Sequence, residues 1–201
     1  MIRSGGQRAM LTLVTRTARL MALLGGFALT ALVAVTCASI LGRGIDRFGH
    51  WDRVEAAAPG LAAWLTGFGP VRGDYELVEA GIAFAVFSFL PICQLMAAHA
   101  TVDVFTGLMP ARVNRFLAAF WEIVLAFVII LIGWRLYAGF LEKLDNGQTS
   151  FLLQFPVWWA YGASLVAAIV AGLVGLYCAA ARVAEGVTGR PHLPGSEGSG
   201  H

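Results

Sequence analysis

The sequence predicts an all-α integral membrane protein with four transmembrane helices, and three observations carry that expectation. Hydrophobic residues make up 58% of the 201-residue chain and charged residues only 13%, against about 25% charged in a soluble domain. A mean hydropathy of +0.74 requires lipid to cover much of the surface. Four apolar stretches exceed the ~18 residues that a spanning helix needs, and the polar segments between them leave no room for a second soluble domain.

The first span is expected over 18–41, the second over 75–98, the third over 116–141 and the fourth over 156–181. Together they form a membrane domain, 18–181, between a basic N-terminus, 1–17, and a C-terminal tail, 182–201. Arginines 3, 8, 16 and 19 ahead of the first apolar run resemble the start of a signal peptide. The run is longer than the ~7–15 residues of such a segment, so it reads as a retained helix. Pro91 lies inside the second span and should kink it or thin its hydrogen bonding. Pro156 suits the first turn of the fourth, where a missing N–H costs nothing. Between the first two spans, Leu61, Trp64, Leu65 and Phe68 recur at helical spacing after Pro59. That spacing predicts a short helix lying on the membrane surface, with an irregular loop as the alternative. The Gly-, Pro- and Ser-rich tail from Gly186 reads as disordered.

Orientation follows from Lys and Arg. With both termini on one side, that side collects eight basic residues: the four N-terminal arginines, Arg112, Arg115, Arg182 and Arg190. The other collects five: Arg43, Arg47, Arg53, Arg72 and Lys143. The bias places both termini on the cytoplasmic side and the 42–74 connection on the outer side.

Composition also limits the chemistry. A formal net charge of +2 is too small for nucleic-acid binding. Cys37, Cys93 and Cys178 are odd in number and lack metal or redox spacing, so they read as small core hydrophobes. A membrane haem held between two histidines would need imidazoles at depth. Of His50, His99, His192 and His201, only His99 touches a span. No catalytic, metal or cofactor-binding residue emerges. The charges inside the spans are Glu79, Glu122 and Arg135. They bind helices together or snorkel to water unless one lines a substrate path. Glu79 and Arg135 should reach similar depth on sequence-adjacent antiparallel helices, which makes an intrachain ion pair conceivable. Small residues form four-residue ladders that permit close helix packing in lipid: Ala22, Gly26, Thr30, Ala34 and Ala38 in the first span, and Ala167, Ala171, Gly175 and Ala179 in the fourth.

Two segments are more specific. His99-Ala-Thr-Val-Asp103 is followed by Leu108-Met-Pro110 and Arg115. Gly147-Gln148-Thr149-Ser150 is followed by Leu153, Pro156, Trp158 and Tyr161. His99 and Asp103, one turn apart, can bond each other or a loop at the inner interface. Gln148, Thr149 and Ser150 can cap the fourth helix or an approach turn, or contact a partner. With Gly73-Asp-Tyr-Glu-Leu77, these segments in this order resemble the small, DctQ-type membrane subunit of tripartite ATP-independent periplasmic (TRAP) transporters, from about Leu20 to Ala181. The long first connection departs from the pattern.

The resemblance implies a non-catalytic scaffold subunit of the bacterial inner membrane. It would support sodium-coupled uptake of a carboxylate-type solute. Its expected partners are a large permease subunit, which carries the substrate and sodium sites, a periplasmic solute-binding protein, and lipid. The subunit-interface candidates are then His99, Asp103, Arg115, Gln148, Ser150, Pro156, Glu79 and Arg135. The alternative is a membrane anchor for a redox or other enzyme complex.

Overall fold

The computed structural model describes residues 5–96 and 111–188. Among the described residues the regular elements are all helices, apart from one isolated bridge in the connection between the last two. Helix α1 is Gly5–Gly49, α2 Asp52–Ala57, α3 Pro59–Leu65, α4 Asp74–Met96, α5 Ala111–Asn146 and α6 Trp158–Thr188. Four of these, α1, α4, α5 and α6, are long and apolar enough to cross a membrane. They alternate in direction, so the α1–α4 connection and the α5–α6 turn share one side, the loop side. The N-terminus shares the opposite, terminal side.

Helices α1, α5 and α6 run past the expected spans. Helix α1 has 45 residues, roughly 65 Å at 1.5 Å per residue, about twice the hydrocarbon thickness. Hydropathy marks only the part that lipid must cover, whereas a helix continues into water while nothing breaks it. The break comes at Gly49, where the His50 ring lies 3.0 Å from the Asp46 carbonyl. In the same way α6 continues to Thr188, into the segment read as tail. Helix α4 remains unbroken through the buried Pro91.

The predicted short helix exists as α3, preceded by the single turn and a half of α2. Pro59 occupies its first turn. Ala62 is its buried residue, while Leu61 and Trp64 stay exposed. Trp64 stacks edge-on against Phe68 with centroids 4.8 Å apart, which gives the α2–α3 segment an apolar outer face.

The spans pack in a row rather than in the order of the chain. Helix α5 packs on α6, α6 on α4, and α4 on α1. Burial follows this order: half of the most apolar window of α6 is buried, against 11% of that of α1. The α1–α4 seam is close because Gly25 offers no side chain: a Cβ there would stand 2.6 Å from Ser88 Cβ. The buried stripe of α1 runs through Ala18, Met21, Gly25 and Ser39, whereas Thr30, Ala34 and Ala38 are exposed. The outer part of the anticipated α1 ladder therefore lies off the seam, while Gly26 still faces Phe89 of α4. The α6 ladder is in place, with Ala167, Ala171, Gly175 and Ala179 all buried. Near the terminal side Ala18, Leu95, Val174 and Cys178 make one buried cluster joining α1, α4 and α6. Cys178 thus behaves as a core hydrophobe, while Cys37 is exposed.

Candidate functional site

The most built feature on the loop side is the turn between α5 and α6. Helix α5 ends at Asn146, and Gly147 follows with φ +57°, the left-handed residue that commonly stops a helix. The chain then makes a small hairpin. Thr149 and Pro156 form an antiparallel bridge. The Ser150 N–H donates to the Phe155 carbonyl and the Val157 N–H to the Gln148 carbonyl, both at 2.9 Å. Gln154 takes the unusual φ of +56°. Its side chain is held there, donating to the Phe151 carbonyl at 2.8 Å and accepting from Thr149 Oγ1 at 3.2 Å. The Gln148 side chain accepts from Lys143 Nζ at 2.8 Å. Gln148, Thr149 and Ser150 thus build an approach turn, and Pro156 lies in the bridge two residues before α6. Its carbonyl accepts from the Trp159 N–H at 3.1 Å and so opens the first turn.

The hairpin is clamped to the mouth of α4. The Glu76 carboxylate accepts the Leu152 N–H at 2.6 Å through Oε1 and the Leu153 N–H at 2.9 Å through Oε2. Two charge-assisted bonds from consecutive amides fix both distance and orientation. Leu153 completes the clamp by covering Gly73: a Cβ there would meet Leu153 Cγ at 2.5 Å, and Gly73 has φ +76°. Only glycine satisfies both demands. The acids Asp74 and Glu76 also suit the positive start of α4. Asp74 receives Arg43 Nη2 of α1 at 2.8 Å. One loop-side assembly therefore holds the α1 end, the α4 mouth and the hairpin together, and the hairpin presents Phe151, 88% exposed, at its tip.

Of the residues anticipated as site candidates, the structure brings Gln148, Ser150 and Pro156 into this hairpin. His99 and Asp103 lie outside the described residues, and so does the Arg115 side chain, although α5 includes that position. Glu79 and Arg135 are not brought together. Both are exposed, neither takes part in an ion pair among the described residues, and α6 stands between α4 and α5. Depth alone suggested the pair; the order of the row rules it out.

Two contacts on the loop side are not evident from the sequence. Glu76 was noticed only as part of a motif, although an acid one turn inside a span invites the search for loop amides. Arg43–Asp74 joins residues 31 apart with no local signal. On the terminal side, Glu122 of α5 is 7% exposed, and its buried Oε1 has no hydrogen-bond partner among the described residues. Arg182 of α6 bonds Glu185 at 3.2 Å. Deeper in the row, Gln94 of α4 is fully buried, and both of its amide atoms lack a hydrogen-bond partner among the described residues. It packs against Gly175 of α6, where a Cβ would lie 2.7 Å from its Nε2.

Comparison with protein families gives one match: the family described as tripartite ATP-independent periplasmic transporters, DctQ component, covers residues 32–188. That region contains the C-terminal part of α1, from residue 32, and everything from α2 through α6. No curated protein and no solved structure gives a match.

Proposed function

The chain belongs to the DctQ component family of tripartite ATP-independent periplasmic transporters, and from that premise we propose that it is the scaffold that steadies the large permease subunit during sodium-coupled uptake of a carboxylate-type solute. It is a multi-pass membrane protein and a transporter subunit, not an enzyme. The tripartite system also includes a periplasmic binding protein. The family match carries the reading, and the open row of helices supports a scaffold role. A row buries little of its own surface: Phe27 is 77% exposed, Phe116 73% and Leu23 74%. Such faces are solvated by lipid or by the partner, and both suit a chain that works as a wall. The sodium and carboxylate parts rest on what the motifs imply for the family.

The orientation proposed is the one given by the basic residues: bacterial inner membrane, both termini cytoplasmic, and the clamp and hairpin on the periplasmic face. There the hairpin stands beside the path by which the binding protein delivers its cargo. Uptake of the cognate solute should be lost in cells lacking this chain and restored by its return, while the isolated subunit binds no solute in calorimetry. Uptake that survives the deletion would refute the role. For orientation, a cysteine placed at Gly60 on a cysteine-free background should react with an impermeant reagent in intact spheroplasts, and one at Ser4 should not.

A further inference from the structure

Helix α4 uses two faces for packing, through Gly81, Ala85 and Ser88 toward α1 and through Pro91, Gln94 and Leu95 into the buried core. Gly81 meets the Leu32 side chain, Ser88 meets Gly25, and Gln94 meets Gly175. A third face is open. Tyr75, Glu79, Ile82 and Val86, at helical spacing, are all exposed, with Tyr75 at 76%, Val86 at 56% and Ile82 at 49%. The stripe is apolar except for one carboxylate. Glu79 has no hydrogen bond or ion pair among the described residues.

Its position makes that carboxylate costly in lipid. Asp74, anchored by Arg43, marks the mouth of the helix, and Glu79 lies five residues further in, roughly 7–8 Å along the axis. Ionisable residues at such depth pair with one another or face a protein or aqueous interior. Arg135, also exposed, has a long stem that carries its guanidinium outward to lipid phosphates. A glutamate has a short stem, and Glu79 meets no cation among the described residues. A second copy of this chain would bring one Glu79 toward another and repel it. What the stripe lacks is an apolar helix face bearing a single positive charge.

We propose that the α4 stripe Tyr75–Glu79–Ile82–Val86 is the face that docks on the large permease subunit, with Glu79 paired to a cationic side chain of that partner. The proposal rests on the scaffold reading above and assigns it a surface. Apolar contact by Ile82 and Val86 supplies area, and the ion pair fixes register, because a slip of either helix strands two charges in lipid.

The test uses the complete complex purified from membranes through a tag on this chain. A photo-reactive residue at Ile82 or Val86 should cross-link to the permease. Glu79→Asp should retain most of the permease, while Glu79→Gln should lose several-fold and Glu79→Lys more. The thermal midpoint of the isolated subunit should hardly change in any of these, since Glu79 has no partner among the described residues. Cross-links from both positions only to lipid, or to a second copy, would overturn the assignment, as would full permease retention by Glu79→Lys. If the unmodified chain retains no permease at all, the scaffold reading itself fails, which is distinct from a wrong face on a complex that forms.

Discussion

Glu76 and Leu152 are 76 residues apart in the chain and 2.6 Å apart in space, carboxylate oxygen to backbone nitrogen. With the adjacent Leu153 bond, this contact sets the hairpin against the α4 mouth, and nothing else in the loop has the charge to do so. Removing the carboxylate leaves two amides to find water and frees Leu153 from Gly73. Glu76→Ala should therefore leave the four spans folded while backbone amides 150–155 lose hydrogen-exchange protection. Glu76→Gln, with one acceptor oxygen left, should fall between. Unchanged protection at Leu152 and Leu153 in Glu76→Ala would show that the bridge at Thr149 and Pro156 holds the hairpin unaided.

Gln94 is a polar group buried against Gly175 with no hydrogen-bond partner among the described residues. An unsatisfied buried amide costs on the order of 1–3 kcal/mol, so Gln94→Met, similar in length and apolar, should raise the thermal midpoint of the detergent-solubilised subunit. Gly175→Val should lower it, because the added atoms meet Gln94 in a site with no free space; overpacking of this kind costs about 1–3 kcal/mol. A fall in stability for Gln94→Met would mean that the amide is satisfied in the folded protein, by a bound water for example.

Glu79 and Arg135 stand on helices separated by α6. Their substitutions should then act independently. In a double-mutant cycle of Glu79→Gln and Arg135→Gln, read as thermal stability of the isolated subunit, the two effects should add to within about 0.5 kcal/mol. A coupling well beyond that would bring the two charges back into contact.

The four spans were legible because lipid imposes a composition that no other environment explains, and the α3 segment because Leu61, Trp64 and Phe68 share one face after Pro59. Helix ends were less legible: Arg43, Asp46 and Arg47 look like a loop by hydropathy yet continue α1 to Gly49, since a helix in water needs no apolar run. Neighbourhood was the least legible. In lipid a helix is apolar all round, so periodicity does not say which side meets a partner. Ala34 and Ala38 thus looked like a seam and face outward, while Gly25 beside Ser88 makes the close approach. The expectation that adjacent helices pair put Glu79 beside Arg135, and the insertion of α6 between their helices separates them. The 147–156 segment was recognisable as a turn from Gly147, Gln148 and Pro156. Its tie to Glu76 was not, because backbone amides carry no sequence signature.

The central claim is that this chain works as the small membrane subunit of a tripartite transporter. Purification from native membranes through a tag on the chain, with the retained proteins identified by mass spectrometry, tests it most directly. The expected result is one large polytopic permease in stoichiometric amount, with no haem absorbance in the sample. Retention of a haem protein or of another enzyme in its place, or a chain that emerges alone in mild detergent, would contradict it.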